Sequence, residues 1–343
     1  FHPMKIAVDA MGGDHAPREI VRGAVESARS NGLSLILVGQ EERIRAELRE
    51  IDVSGADIQV LHASEVVEMC EVPGIALRKK RDSSIRVGLR LVADGKASCF
   101  VSAGNSGAVM AGGFLILKKI HGVDRPAIAA TIPTPHGPVV LVDAGANVES
   151  KPAHLLQFGY MGEAYSRMIL GIPRPRVGVL SIGAEDSKGT DLTRDTCELF
   201  RRTGLNFVGN VEGRDFFAGK ADVFVCDGFV GNVAIKTMEG MATALGQFLK
   251  EEICKSLMAK VGALLAVRAL RGVKDRLDYE EYGGAPLLGV RGGIFICHGS
   301  SSERAIKNGI RAAGSLGRCA VDVEIARSIA ARGHAAANAP AIP

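Results

Sequence analysis

The stretch Ala97-Ser98-Cys99-Phe100-Val101-Ser102-Ala103-Gly104-Asn105-Ser106-Gly107 contains the pattern that decides the fold. The apolar run over 97–102 predicts a buried strand, and the polar, glycine-rich residues after it predict a turn. Residues 106–119 are then predicted to form a helix. A strand, a polar turn and a helix in this order are the repeating unit of α/β proteins with a parallel sheet.

The same unit recurs along the chain. Five more apolar runs end in polar tips, at 9–15, 143–147, 183–189, 227–232 and 298–302. The predicted strands are 5–10, 33–39, 58–63, 97–102, 127–132, 138–143, 176–182, 206–211, 221–227 and 293–298, and the predicted helices are 16–30, 40–50, 85–95, 106–119, 151–170, 190–203, 230–254, 302–315 and 319–332. Their alternation predicts a doubly wound α/β/α sandwich with a mainly parallel sheet. It forms one domain over 4–332, followed by a flexible tail over 333–343.

Composition limits the class of protein. The 343 residues carry a net charge of only +4, which does not indicate a nucleic-acid partner. Seven cysteines without a CxxC pair predict neither a zinc site nor a disulfide framework, and they fit a reducing cytoplasm. No apolar run reaches the ~18 residues of a membrane-spanning helix. Since no GxxxxGK[ST] motif and no GxGxxG after a strand occur, the sequence predicts no cofactor, and it predicts no metal.

The polar tips are the candidate binding loops. Ligands of open α/β sheets bind beyond the carboxyl ends of the strands, so we expect the tips to converge on one edge of the sheet. Backbone N–H groups and helix N-termini at such tips favour anions, phosphate above all. The candidate phosphate-binding residues are Gly104, Asn105, Ser106, Gly107, Asp227, Gly228, Gly231 and Asn232. The alternative is that these loops are capped turns without a ligand.

Other polar side chains at the tips allow two interpretations each. Asp9, Asp14 and Asp143 could be metal ligands, but their spacing favours carboxylates that brace loops, with Asn147 in the same role. Lys188 either pairs with an anionic ligand or lies in a solvated loop. His298 is either a catalytic or a structural residue. Its neighbour Cys297 cannot form a simple dyad with it, because adjacent strand residues point to opposite faces.

Residues 240–278 contain no predicted strand. Six apolar side chains share one face of a helical wheel: Ile253, Leu257, Met258, Val261, Leu264 and Leu265. The segment also carries seven lysines and arginines. The pattern alone favours a helix packed on its own core or on a second subunit. An amphipathic, basic helix that rests on an anionic bilayer is the alternative.

The tips offer no obvious covalent nucleophile. Neither GxSxG nor HExxH occurs in the chain. Inorganic phosphate is itself a nucleophile, so a protein with an anion-binding crevice need only hold it against an activated acyl carbonyl and stabilise the oxyanion. Acyl transfer to phosphate suits this combination of features.

Seven ordered segments between Met4 and about Arg332 resemble the signatures of the PlsX family, the bacterial phosphate acyltransferases. These segments are 8–14, 102–107, 143–147, 210–215, 227–232, 281–289 and 298–301. The departures are small: Ser106 stands where the family more often has Thr, Ala144 where Val is usual, and Ala184 where Glu is common. Because alanine has no carboxylate, Ala184 puts in doubt any essential role for a carboxylate at this position.

The resemblance implies transfer of a long-chain acyl group from acyl-ACP to inorganic phosphate. The product, acyl phosphate, feeds the acylation of glycerol 3-phosphate in phospholipid synthesis, with an acyl-phosphate:glycerol-3-phosphate acyltransferase as a downstream partner. The resemblance also implies a fold similar to isopropylmalate dehydrogenase and phosphotransacetylase, and a cytoplasmic homodimer attached peripherally to the membrane. It therefore makes 240–278 a protruding amphipathic helical hairpin, whose membrane contacts are Ile253, Leu257, Val261, Leu264 and Leu265.

The hypothesis for the site follows from both lines of reasoning. Phosphate binds the N–H groups of 104–107 and 228–232, and Asn105, Ser106 and Asn232 donate from their side chains. Lys188 and Arg214 supply positive charge near phosphate or the pantetheine arm, while loop N–H groups or His298 hold the oxyanion. Three alternatives stay open: a CoA-dependent phosphate acyltransferase, a nicotinamide-dependent hydroxy-acid dehydrogenase, and a non-enzymatic membrane-bound scaffold.

Overall fold

A computed structural model describes residues 5–277 and 281–337. Residue 4 of the predicted domain, residue 278 of the predicted hairpin and residues 338–343 of the predicted tail lie outside the described residues. The strands are β1 (Lys5–Asp9), β2 (Ser34–Gly39), β3 (Asp57–His62), β4 (Cys99–Ser102), β5 (Ala127–Ile132), β6 (Val139–Val142), β7 (Arg176–Leu180), β8 (Asn206–Val211), β9 (Val223–Val225), β10 (Ala285–Leu288) and β11 (Gly293–Ile296).

The helices follow most strands, as the alternation predicts. They are α1 (Arg18–Asn31), α2 (Glu41–Arg49), α3 (Pro73–Lys79), α4 (Ser84–Ala93), α5 (Ser106–Gly112), α6 (Pro152–Ile169), α7 (Asp191–Arg201), α8 (Gly228–Cys254), α9 (Leu257–Leu265), α10 (Val267–Leu277), α11 (Glu303–Cys319) and α12 (Val321–Ala337). A π-helical turn over Gly113–Leu117 continues α5, so the helix predicted over 106–119 is not α-helical throughout.

One sheet of 11 strands has the order β3-β2-β1-β4-β11-β10-β5-β6-β9-β7-β8. The first strand group, β3-β2-β1-β4-β11, is parallel, and so is the second strand group, β6-β9-β7-β8. The predicted α/β fold with a mainly parallel sheet is therefore confirmed. Between the groups, β10 and β5 form antiparallel pairs with their neighbours.

The two strand groups run in opposite directions. Three successive antiparallel pairings, β11 with β10, β10 with β5 and β5 with β6, reverse the strand direction between them. The carboxyl ends of the first group therefore lie at the opposite edge from those of the second. The expectation that the polar tips converge on one edge is wrong, since periodicity shows where a strand lies and not which way it runs.

Burial on both faces explains why the strands are continuous apolar runs. On one face Ile6, Val8 and Leu35 pack in the core that includes residues of α1 and α11. On the other face Ala7 and Ile36 pack with residues of α4 and α5. Side chains of successive strand residues alternate between two covered faces, as an α/β/α sandwich requires.

Strand β10 is the one described strand that the sequence does not predict, and α3 is a helix that it does not predict either. The four residues of β10 include Pro286 and lie between glycines, a composition that indicates a turn. Pairing with β11 on one side and β5 on the other makes it a strand, so its existence is decided by the tertiary structure.

The long helix α8 begins on the sheet and then leaves it. Ala234, Ile235 and Met238 pack against the sheet near its first turns, whereas Met241 and Leu245 further along are exposed. α9 folds back on α8 and contains no buried residue. The segment predicted as a helical hairpin is thus the end of α8 followed by two helices, α9 and α10. None of the helices within the described ranges is long and apolar enough to cross a membrane.

Candidate active site

The tips of the first strand group form one loop cluster. Asp9 is buried at the end of β1, where its carboxylate accepts hydrogen bonds from Ser102 Oγ (2.7 Å) and from the Met11 amide (3.1 Å). Burial raises the pKa of Asp9, although these hydrogen bonds oppose the shift. The Asp14 amide donates to the Gly299 carbonyl at 2.8 Å, so the 9–15 loop also ties the 298–302 loop. Asp14 acts through its backbone, since its side chain is exposed.

Both polar atoms of the Asn105 side chain are hydrogen-bonded to the backbone of neighbouring segments. Its Oδ1 accepts from the Ala108 amide at 3.0 Å and caps α5, while Nδ2 lies 3.2, 3.1 and 2.9 Å from the carbonyls of Glu68, Met69 and Glu71. These contacts position the 102–107 loop against residues 68–71. The hydroxyl of Ser106, the first residue of α5, is exposed. Gly104 and Gly107 on either side allow close packing, of Gly104 against Gly12 and of Gly107 against Pro73.

Asp143 organises the loop cluster of the second strand group. Its fully buried carboxylate accepts five N–H groups, from the amides of Ile128 (3.0 Å), Gly145 (3.2 Å), Ala146 (3.0 Å) and Asn147 (2.6 Å) and from Asn147 Nδ2 (2.9 Å). Burial raises its pKa, and these donors oppose the shift. Because the donors occupy both oxygens, Asp143 braces the loop and has no free oxygen for a metal ion.

The start of α8 is built onto this loop. The Gly228 amide donates to the Asn147 carbonyl at 2.7 Å, and Asp227 Oδ1 caps the helix by accepting from the Val230 amide at 2.9 Å. A Cβ on Gly231 would overlap the carbonyl oxygen of Asp143, so only glycine fits there. The exposed side chain of Asn232 lies beside Gly145. The 143–147 and 227–232 tips thus form one unit.

Lys188 and Arg214 lie at increasing distance from that unit along the sheet. Lys188 follows β7, which pairs with β9, and its side chain extends over Gly183. Arg214 follows the outermost strand β8, and its guanidinium donates to Glu212 at 2.8 Å. Both side chains are exposed. The structure places both at the same edge as Asn232 but brings neither into a described contact with it.

The two loop clusters meet through α8. Lys236, two turns into this helix, places Nζ 3.3 Å from Nε2 of His298, at the tip of β11. Nδ1 of His298 lies 2.8 Å from Ser300 Oγ. Asn232 and Lys236, four residues apart, share one face of the helix. The region of this junction between Gly145 and Asn232 on one side and His298 on the other is the candidate crevice. The sequence motifs did not single out Lys236, although its i, i+4 spacing from Asn232 could have indicated it.

Neither cysteine beside the crevice is suited to be a nucleophile. Cys297 is buried, and burial raises the pKa of its thiol to about 12. Burial also raises the pKa of Cys226, which precedes Asp227. The thiolate is the reactive form of cysteine, so both act as small apolar residues near neutral pH. These two thiols are therefore not candidate nucleophiles.

Comparison with known proteins gives the family context. A model of the family described as fatty acid synthesis protein matches residues 4–324. Over 310 residues the chain is 56% identical to a protein of Pelotomaculum thermopropionicum named Phosphate acyltransferase, and the match covers 90% of each chain. A protein of the same name from Trichlorobacter lovleyi is 52% identical over 326 residues, 95% of this chain and 94% of its own.

Solved structures support the fold. A phosphotransacetylase from Streptococcus pyogenes matches 92% of this chain and 94% of its own, with a TM-score of 0.63 and 19% sequence identity. At that identity the likeness concerns the fold alone. It agrees with the similarity to phosphotransacetylase that the sequence implies.

Proposed function

The chain belongs to the phosphate acyltransferase family of fatty acid synthesis proteins, and on that premise we propose that the crevice between Asn232 and His298 is its active site. The protein is an acyltransferase that transfers an acyl group to phosphate, in fatty acid and phospholipid synthesis. One observation carries the assignment of the site: the two loop clusters meet at Lys236 and His298, beside polar side chains of both strand groups.

In the proposed mechanism, phosphate replaces a protein nucleophile. The Asn232 side-chain amide holds phosphate against the thioester carbonyl, with the Ser106 hydroxyl and N–H groups of 105–107 as further donors. The amides of Gly228, Val230 and Gly231 are already bound to Asn147 and Asp227, so they do not serve as phosphate donors. A phosphate oxygen forms a bond to the carbonyl carbon, and His298 or a loop N–H donates to the resulting oxyanion. The C–S bond then breaks and the thiolate leaves. Asn105 acts as a positioning residue, because its amide is bound to carbonyl groups of residues 68–71.

A second part of the proposal concerns the molecule that supplies the acyl group. We infer that acyl-ACP supplies the acyl group, that Lys188 lies near phosphate, and that Arg214 lies near the pantetheine arm. The product serves glycerol 3-phosphate acylation by a downstream acyltransferase. The test supplies purified protein with inorganic phosphate and either palmitoyl-ACP or palmitoyl-CoA, and traps acyl phosphate with hydroxylamine. If acyl phosphate forms with palmitoyl-ACP but not with palmitoyl-CoA, and only when phosphate is present, the result supports acyl-ACP as the acyl donor. Product with CoA alone replaces ACP as the donor, and no product with either rejects the reaction.

Asn232→Ala is expected to reduce turnover of phosphate. The amide is exposed in the crevice beside Gly145, and losing a hydrogen bond to a charged ligand costs ~1.5–3 kcal/mol. We expect the phosphate KM to rise, or kcat to fall, by more than about tenfold. Thr237→Ala, an exposed change on the same helix, is the control. A folded Asn232→Ala enzyme with wild-type kinetics would remove Asn232 from the site.

A membrane contact is proposed for α9. Leu257 and Leu264 are 81% and 71% exposed, as are other apolar side chains of this helix, and the region around it is basic. Leu257→Glu with Leu264→Glu is expected to abolish cosedimentation with anionic vesicles while the acyl transfer in solution continues, because the apolar face inserts at the lipid boundary. Vesicle binding by the double variant would contradict the assignment.

A homodimer is proposed through the apolar face of α8. Met241, Leu245 and Phe248 are exposed at helical spacing, a pattern that fits a second copy of the helix. Met241→Glu with Leu245→Glu serves as the matched pair for the membrane experiment. It is expected to change the mass measured by light scattering to that of a monomer, whereas the α9 pair leaves the mass unchanged.

A further inference from the structure

Lys236 lies where the two loop clusters meet, and the mechanism above does not use it. Its side chain is 49% exposed, its Nζ lies 3.3 Å from His298 Nε2, and it forms an ion pair with Glu239 at 2.7 Å. It follows Asn232 by one helical turn on the same face of α8. The ammonium group is therefore held at the crevice and remains accessible from solvent.

The hydrogen-bond pattern shows how the ammonium is held. The Lys236 ammonium lies 3.3 Å from His298 Nε2, and Nδ1 of the same ring accepts from the Ser300 amide at 3.3 Å and lies 2.8 Å from Ser300 Oγ. Glu239 accepts an N–H of Lys236. At least one N–H of the ammonium has no partner among the hydrogen bonds of the described residues. Helix α8 and the 298–302 loop thus position a cation that can donate one further N–H to a ligand.

We propose that Lys236 binds the attacking phosphate and keeps it at the junction of the two strand groups. Cβ atoms four residues apart on a helix are separated by about 5–6 Å, so one phosphate ion can accept from both Asn232 and Lys236. His298 and Glu239 hold the ammonium in place before phosphate arrives, which lowers the cost of organising the site. This assignment rests on the proposed function and adds a residue to its phosphate site.

The competing explanation is that Lys236 only ties α8 to the 298–302 loop. The two explanations differ in what a substitution changes. A structural tie affects stability and the KM of every substrate to a similar extent, whereas a phosphate ligand affects the KM of phosphate in particular.

The experiment compares Lys236→Met and Lys236→Arg with wild-type protein in the acyl phosphate assay, at varied phosphate and at varied acyl-ACP. We expect Lys236→Met to raise the phosphate KM by about 10- to 100-fold, as for loss of a hydrogen bond to a charged group, and to leave the acyl-ACP KM nearly unchanged. Lys236→Arg keeps the charge and is expected to recover much of the loss. Lys96→Met is the control, since Lys96 is also exposed and ion-paired, with Asp94, and precedes β4 at its amino end.

A second readout needs no turnover. Inorganic phosphate is expected to raise the thermal unfolding midpoint of wild-type protein and of Lys96→Met, but not of Lys236→Met, because only a ligand that binds the native state stabilises it. An unchanged phosphate KM in folded Lys236→Met, or an unchanged phosphate-dependent shift, overturns the proposal and leaves the structural tie. Failure of wild-type protein to form acyl phosphate instead rejects the proposed function, and this assignment with it.

Discussion

Replacing Gly231 by alanine is expected to destabilise the protein severely and to abolish acyl transfer. The added Cβ would overlap the carbonyl oxygen of Asp143 and press on Cys226 Sγ, and both neighbours are buried. A backbone atom cannot rotate away, so α8 must shift as a whole. That shift displaces Asn232 and Lys236 together. We expect the free energy of unfolding in urea to fall by more than about 3 kcal/mol, in the range of severe core changes.

Gly240→Ala is the matched control for this experiment. Gly240 lies in the same helix, and nothing lies within 4 Å of a Cβ placed on it. Alanine is favoured over glycine inside a helix by about 1 kcal/mol, so this variant is expected to be as stable as wild type or more so. If Gly231→Ala unfolded at the wild-type urea concentration and kept its activity, the close packing of α8 on the 143–147 loop would be wrong.

Asp143→Ala is expected to have the second large effect. The substitution removes the acceptor of five N–H groups and leaves buried donors without partners. Each unsatisfied buried group costs ~1–3 kcal/mol, and some of these donors will find water. We expect a loss of about 3–5 kcal/mol in the free energy of unfolding, comparable with breaking a buried charge network.

Activity should fall with stability in Asp143→Ala, because the same carboxylate holds Asn147, whose carbonyl accepts from the first amide of α8. Asp52→Ala is the control, because Asp52 is exposed and its contacts with Ser54 and Arg29 lie at the surface. The control is expected to leave the unfolding midpoint in place. Equal midpoints for the two variants would show that the 143–147 loop does not depend on its carboxylate.

Local sequence patterns predict the positions of strands and of residues that bond to their near neighbours in the chain. The predicted strands around 5–10 and 206–211 agree with β1 and β8, because apolar runs bounded by turn residues are a local signal. The fully buried Asp9 and Asp143 were expected to brace loops, and each carboxylate accepts amide hydrogen bonds from the residues that follow it. The role of Asn105 was not visible in the same way, since its partners lie more than thirty positions earlier in the chain.

The sequence by itself determined the α/β class, the positions of most strands and helices, the polar tips and the family of the protein. Each of these depends on residues that are near one another along the chain or on ordered motifs. Only the tertiary structure decided that the strand groups run in opposite directions, because direction follows from the antiparallel pairings of β10 and β5. The contact between Lys236 and His298, 62 positions apart, depends on where that topology and the long α8 place two separate segments, which no local pattern encodes.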